Sequence, residues 1–252
     1  MNEFGFHRPG SLKDALALLA GAQDARALAG GQSLLPAMKL GLAAPSDLID
    51  LSAIAELRGI AVGPASVRIG ALVTHAEVAA SAEVRAAIPA LARLADGIGD
   101  PAIRERGTLG GSLANNDPAA CYPAALLALD ATVHTDRRRI ASGDFLTGLY
   151  ETALAPGELI TAVEFPIPEL ASYQKFMQPA SRYALVGVFV ARGKAGARVA
   201  VTGAAACAFR SEALEAALAA DWSAASCERV EISSEGLGTD MHASAAYRAL
   251  GG

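Results

Sequence analysis

Two glycine pairs constrain this chain more than any other feature. The first stands in Ala29-Gly30-Gly31-Gln32-Ser33, ahead of Leu34-Leu35-Pro36. The second stands in Thr108-Leu109-Gly110-Gly111-Ser112, ahead of Leu113-Ala114-Asn115-Asn116-Asp117-Pro118. Glycine lacks a Cβ, so its backbone N–H can come close to a phosphate oxygen, and a helix starting just beyond adds partial positive charge. Either pair alone reads more simply as a strand-to-helix turn. Together, each with a short polar residue and a helix start behind it, they suggest two backbone cradles for one elongated anionic ligand. Asn115, Asn116 and Asp117 are too dense in hydrogen-bonding groups for an ordinary turn, and suit the hydroxyls of a ribityl or ribose chain. Asp117-Pro118 is also a plain helix start, with Asp as N-cap and Pro at the first helical position.

The 252 residues allow one large domain or two modest ones, and a hydrophobic content of 52% provides for a sizeable core. That content speaks against disorder. A net charge of −5 and an aromatic content of 5% speak against a nucleic-acid surface, which needs basic patches and stacking platforms. Cys121, Cys207 and Cys227 are odd in number and scattered, as in a cytoplasmic protein with reduced thiols. His7, His75, His134 and His242 show no ligand spacing, so no metal or iron–sulfur site is expected on this chain. No apolar run reaches the roughly 18 residues of a membrane span.

Ser11 caps a first helix that Gly21 stops, residues 25–29 form a strand into the first glycine pair, and residues 47–51 form another. These predict a small β-α-β unit over about residues 1–55. Residues 67–69 are a strand, Thr74-x-x-Glu77 is a capping box, and a helix from Ser81 bends near Pro89 and ends at Gly97. Residues 131–135 and 139–141 read as a hairpin, and residues 159–165 as a strand. Prolines within 156–172 predict a domain boundary near residue 168. Beyond it, residues 174–177, 185–191 and 198–204 read as an antiparallel meander, and Ser211 caps a helix to Ala220.

Gly97-Ile-Gly99-Asp-Pro-Ala102 matches the G-x-G-x-x-G/A pattern of dinucleotide-binding folds. A helix precedes it and Pro101 interrupts it, whereas the fingerprint must follow a strand and open a helix. It is rejected. Gly193-Lys194 lacks the rest of a P-loop, and no nucleophile–base set is supported by spacing.

Residues 29–38, Ile103-Arg-Glu-Arg-Gly-Thr-Leu-Gly-Gly-Ser112 and Asp117-Pro-Ala-Ala120 resemble the FAD-binding (medium) subunit of the molybdenum hydroxylases. That family includes aerobic carbon monoxide dehydrogenase and xanthine dehydrogenase. The resemblance runs from Phe6-His-Arg-Pro9 to His242-Ala-Ser-Ala-Ala-Tyr247. It implies an α+β chain: a two-part FAD-binding domain of the vanillyl-alcohol-oxidase/MurB type, then a small domain of antiparallel sheet plus helices. The corresponding division is 1–168 (subdomains about 1–55 and 56–168) and 169–252. It also implies cofactor contacts from Ala29, Gly30, Gly31, Gln32, Ser33 and Leu34 in the first pyrophosphate loop. Thr108, Gly110, Gly111 and Ser112 would supply the second. Ribityl contacts fall on Asn116 and Asp117, a strand beside the flavin ring on Leu159 and Ile160, and a ring-covering tyrosine on Tyr183.

There are departures. Relatives commonly have Asn where Ser112 stands and Asp or Glu where Cys121 stands, and they continue with a helix after Ala246–Arg248. A thiol accepts a hydrogen bond poorly, which puts one ribityl contact in doubt. The implied function is electron transfer with no catalytic acid or base and no metal on this chain. Electrons would pass from [2Fe-2S] clusters on a small partner subunit through FAD to NAD, a quinone or oxygen. A large partner subunit would carry the molybdenum cofactor, in a dimer of heterotrimers. The alternatives are a free-standing flavin oxidoreductase and a non-flavin interaction subunit of the same fold.

Overall fold

The computed structural model describes residues 2–194 and 196–250. Its first sheet is small and parallel. β1 (Gly5–His7), β2 (Ala25–Leu28) and β3 (Asp47–Asp50) lie in the order β1-β3-β2. Helix α1 (Leu12–Gly21) crosses between β1 and β2, and Ser11 caps it by accepting from the Asp14 N–H. Leu12, Leu16 and Leu19 turn inward onto Ala15, Ile49, Ile54 and Leu57. The short α2 (Leu34–Lys39) opens directly from the first glycine pair. The β-α-β unit is therefore as predicted. β1 carries too little apolar alternation over Gly-Phe-His to show in the sequence.

The second sheet is antiparallel, in the order β4-β5-β10-β6-β7. Its strands are β4 (Ile60–Val62), β5 (Ser66–Gly70), β6 (Thr132–Thr135) and β7 (Arg139–Ala141) and, after the hairpin β8 (Leu146–Gly148) and β9 (Glu151–Thr152), β10 (Ile160–Pro166). Three helices follow β5: α3 (His75–Ala80), α4 (Ala82–Ala87) and α5 (Pro89–Asp96). The Thr74–Glu77 capping box that starts α3 is complete on both sides. Pro89 does not bend one long helix, as expected, but begins α5 at its first position, where a missing N–H costs nothing. Then come α6 (Pro101–Arg106), α7 (Leu109–Asn115) and α8 (Tyr122–Ala128). Every residue of α8 is buried, which is why its sequence is apolar on all sides.

The third sheet is an antiparallel meander of β11 (Leu170–Met177), β12 (Ala184–Gly193), β13 (Gly196–Thr202) and β14 (Phe209–Arg210). It lies against α8, and α5 packs on β11. Phe189, Ala191 and Ala200 of this sheet share one core with Val67, Ile69, Val163 and Phe165 of the second. A four-residue α9 (Ser142–Phe145) follows β7. α10 (Glu212–Ala220), α11 (Ala224–Cys227) and α12 (Ala245–Leu250) complete the fold.

Two side chains tie the third sheet to its surroundings. The Thr202 hydroxyl lies 2.6 Å from the Ala120 carbonyl and 3.0 Å from that of Pro118. The buried Arg248 of α12 donates to the carbonyls of Leu185 (2.7 Å) and Gly203 and to the Asp240 carboxylate. Among the described residues, no helix is long and apolar enough to cross a membrane.

Candidate functional site

The two glycine motifs meet. Gly30 packs so closely on the chain before the second motif that a Cβ there would lie 2.1 Å from the Arg106 carbonyl oxygen. Gly31 has φ +73°, a left-handed conformation that side chains resist. The crossing opens onto a cavity of about 630 Å³, within the size range of small-molecule and cofactor sites. Both motifs line it, with residues 98–100, Leu159–Ile160 and residues 180–183 forming further walls. Three of the described non-glycine residues at positive φ border it or touch its lining: Asn116, Tyr150 and Arg182. Strained backbone of this kind gathers at ligand sites.

The motifs are not equivalent. From Gly30 to Leu34, no backbone N–H finds an acceptor among the described residues; pairing resumes at Leu35, which donates to Gly31. Five consecutive N–H groups without a protein acceptor, on residues that line the cavity and lead into a helix start, are the kind of donor set that can cradle an anion. In the second motif the donors are already spent. Leu109 donates to Val73, Gly110 to Ala71, Gly111 to the Thr108 hydroxyl, and Ser112 to the Thr108 carbonyl. A Cβ on Gly110 would collide with Ala71, so Gly110 serves helix packing. The segment is the first turn of α7 with Thr108 as its N-cap. It offers the cavity the Ser112 hydroxyl, which makes no hydrogen bond among the described residues, and the neighbouring Asn115.

Thus Ala29, Gly30, Gly31, Gln32, Ser33, Leu34, Thr108, Gly110, Gly111, Ser112, Asp117, Leu159, Ile160 and Tyr183 all line one cavity. Asn116 does not, which corrects the ribityl contact expected there. It is fully buried at the left-handed end of α7, and its Nδ2 donates to the carbonyls of Gly148 (2.9 Å) and Glu151 (2.8 Å). A residue in that conformation turns its side chain off the helix, here into the β8–β9 hairpin. The cavity receives Asn115 instead.

Asp117 corrects a second expectation, for it caps no helix. Its Oδ1 accepts from the Ala119 N–H, its Oδ2 from the Tyr150 hydroxyl at 3.4 Å, and α8 begins only at Tyr122. Residues 118–120 are held out of helical form because β13 takes the Pro118 and Ala120 carbonyls.

Tyr183 is half-exposed, at the rim. Burial and the nearby Asp117 raise its phenol above the ordinary range. Leu159 is fixed by its N–H to Asp136 Oδ1 at 2.7 Å, and the strand register slips between Ile160 and Ala162, a bulge beside the cavity. Within the rejected Gly97–Ala102 segment, Ile98, Gly99 and Asp100 also line the cavity, just ahead of a helix. Asp100 caps α6 by accepting from Ile103, and Pro101 begins that helix rather than interrupting it.

The lining also includes His75 and Lys175, which nothing in the sequence marked as site residues, and Cys121, known from the sequence only as a departure from relatives. His75 is 5% exposed and packs on the Tyr122 ring. Burial, helped by Arg104, depresses its imidazole to about 4, so it is neutral at ordinary pH. Among the described residues no cluster of His, Cys, Asp or Glu could hold a metal.

The unpaired N–H run and a cavity lined in part by apolar side chains fit FAD, whose pyrophosphate needs donors and whose ring needs apolar walls. Comparison with known proteins points the same way. A family described as "FAD binding domain in molybdopterin dehydrogenase" matches residues 2–168. The chain is 39% identical to the carbon monoxide dehydrogenase medium chain of Afipia carboxidovorans, over 77% of this chain and 70% of that one. It is 39% identical to the nicotine 6-hydroxylase medium subunit of Paenarthrobacter nicotinovorans, over 95% and 90%. The structure of carbon monoxide dehydrogenase from Hydrogenophaga pseudoflava superimposes with a TM-score of 0.89 at 33% identity, covering 99% of this chain and 93% of that one.

Proposed function

The chain belongs to the FAD-binding family of the molybdopterin dehydrogenases, and from that premise we propose that it is the electron-transfer flavoprotein subunit of a molybdenum hydroxylase complex. The run of unpaired N–H groups over residues 30–34, opening on the cavity, carries this reading. These groups, with the start of α2, would hold the pyrophosphate. Ser112, Asn115 and Asp117 would hold the ribityl and ribose hydroxyls. Leu159, Ile160 and Tyr183 would flank the ring and keep water from its face.

FAD bound there would supply the redox chemistry, exchanging electrons singly with one partner and in pairs with another. The chain's own residues need only orient it. His75, the buried imidazole of the cavity, is neutral and moves no proton near pH 7. The electron donor in this reading is a [2Fe-2S] cluster on a small subunit. Substrate oxidation lies on a large subunit with the molybdenum cofactor. The assembly is a dimer of heterotrimers in the cytoplasm, and the acceptor is NAD, a quinone or oxygen. The relatives' names, one referring to carbon monoxide and another to nicotine, support assigning substrate choice to a different chain. Residues 1–168 form the cofactor-binding part (subdomains about 1–55 and 56–168) and residues 169–252 the part that closes it; the separate sheets support that division.

The test is a fluorescence titration of the full chain with FAD. Saturable one-to-one uptake is expected, with quenching by Tyr183. A chain that takes up no FAD overturns the reading.

A further inference from the structure

Charges lining the cavity are nearly all committed. Glu158 is bound by Arg138, Asp100 caps α6, Arg26 pairs with Asp24, and Asp117 accepts from Ala119 and Tyr150. His75 is neutral. Two cations are left without a carboxylate partner among the described residues: Arg182, which is exposed, and Lys175, which is half-buried. Lys175 Nζ donates to the carbonyls of Gly97 (2.5 Å) and Arg182 (3.0 Å), and lies 3.6 Å from Cys121 Sγ. Two carbonyl dipoles and a sulfur hold the ammonium in place. The bond to Arg182 places it beside the residue that precedes Tyr183.

We propose that the Lys175 ammonium faces the ring end of the bound FAD and sets its reduction potential. This rests on the reading of the cavity as the FAD site. Reduction brings two electrons and one proton to the ring, leaving one negative charge that the oxidised ring lacks; Lys175 keeps its own protons throughout. A cation fixed by three protein contacts in a half-buried site attracts that charge more strongly than a freely moving, fully water-screened cation does. It therefore favours the reduced over the oxidised cofactor. The Cys121 position modulates this, because a carboxylate there would pair with the ammonium and cancel much of its field.

The experiment is a potentiometric titration of the FAD-loaded full chain against a reference dye. Lys175→Met is expected to retain FAD but to lose about tenfold to a hundredfold of the preference for the reduced form, a drop of roughly 30–60 mV for a two-electron couple. Lys175→Arg restores most of the potential. Cys121→Asp, which keeps the lysine, lowers it in the same direction, and carries the test if Lys175→Met does not fold. The proposal is overturned if Lys175→Met or Cys121→Asp leaves the potential unchanged. It is equally overturned if Lys175→Met weakens oxidised and reduced FAD alike, which would make Lys175 a phosphate or loop anchor. Failure of the unaltered chain to take up FAD would instead overturn the cofactor reading itself.

Discussion

Gly30 and His75 show how single residues shape the cavity. At Gly30 there is no room for a methyl group, because the neighbour is backbone and cannot rotate away. Gly30→Ala should cost about 1–3 kcal/mol, as overpacking does, and reduce FAD uptake by displacing the crossing. Thermal unfolding and FAD titration of the variant check both. His75 makes a prediction about pH. Its folded-state value, about 4, lies below the ordinary value near 6.5. Between these limits the unfolded chain binds the proton and the folded chain resists it. Stability should therefore be level above about pH 6.5, fall by up to roughly 3 kcal/mol towards pH 4, and level off below. His75→Phe keeps the packing on Tyr122 and should flatten that slope in urea unfolding across the same range.

At the scale of elements, α7 and the β8–β9 hairpin separate two roles that adjacent residues share. Asn116→Ala leaves the Gly148 and Glu151 carbonyls without their donor, and should cost about 1–3 kcal/mol. Ser112→Ala removes a hydroxyl that makes no hydrogen bond among the described residues. It should leave the melting temperature of the cofactor-free chain unchanged and weaken FAD by several-fold, about 0.5–1.5 kcal/mol. Melting curves and FAD titrations of both variants check the pair; the reverse pattern would place Asn116 in the cavity after all. Here lies the limit of legibility. Caps such as Ser11 and Thr74, and strands with clear alternation such as β5 and β10, depend on neighbours in sequence, and could be read directly. Which of Asn115 and Asn116 faces the ligand depends on the left-handed turn at Asn116, fixed by a hairpin more than thirty residues away. The loss of the expected helix start at Asp117 depends likewise on Thr202 in another sheet. The glycines were legible as special, but three reasons hide behind one residue type: backbone crossing at Gly30, positive φ at Gly31, and helix packing at Gly110.

Across the whole molecule, the three sheets converge on the cavity, and the third holds its wall together from behind. Thr202→Val removes the donor shared by Pro118 and Ala120 without changing side-chain shape. Its expected effect is a loss of about 1–3 kcal/mol together with faster FAD release, since the turn carrying Asp117 would loosen; stopped-flow release against apoprotein measures the second effect. Arg248 has a consequence in time. The carbonyl of Leu185, two residues beyond Tyr183, waits for a guanidinium 63 positions further along the chain. At 5–20 residues per second, synthesis reaches it on the order of 3–13 seconds later. A ribosome-bound chain thus displays residues 30–34 seconds before the segment beside Tyr183 is braced, so a cofactor held by both would be captured loosely first and securely only after Arg248 has emerged.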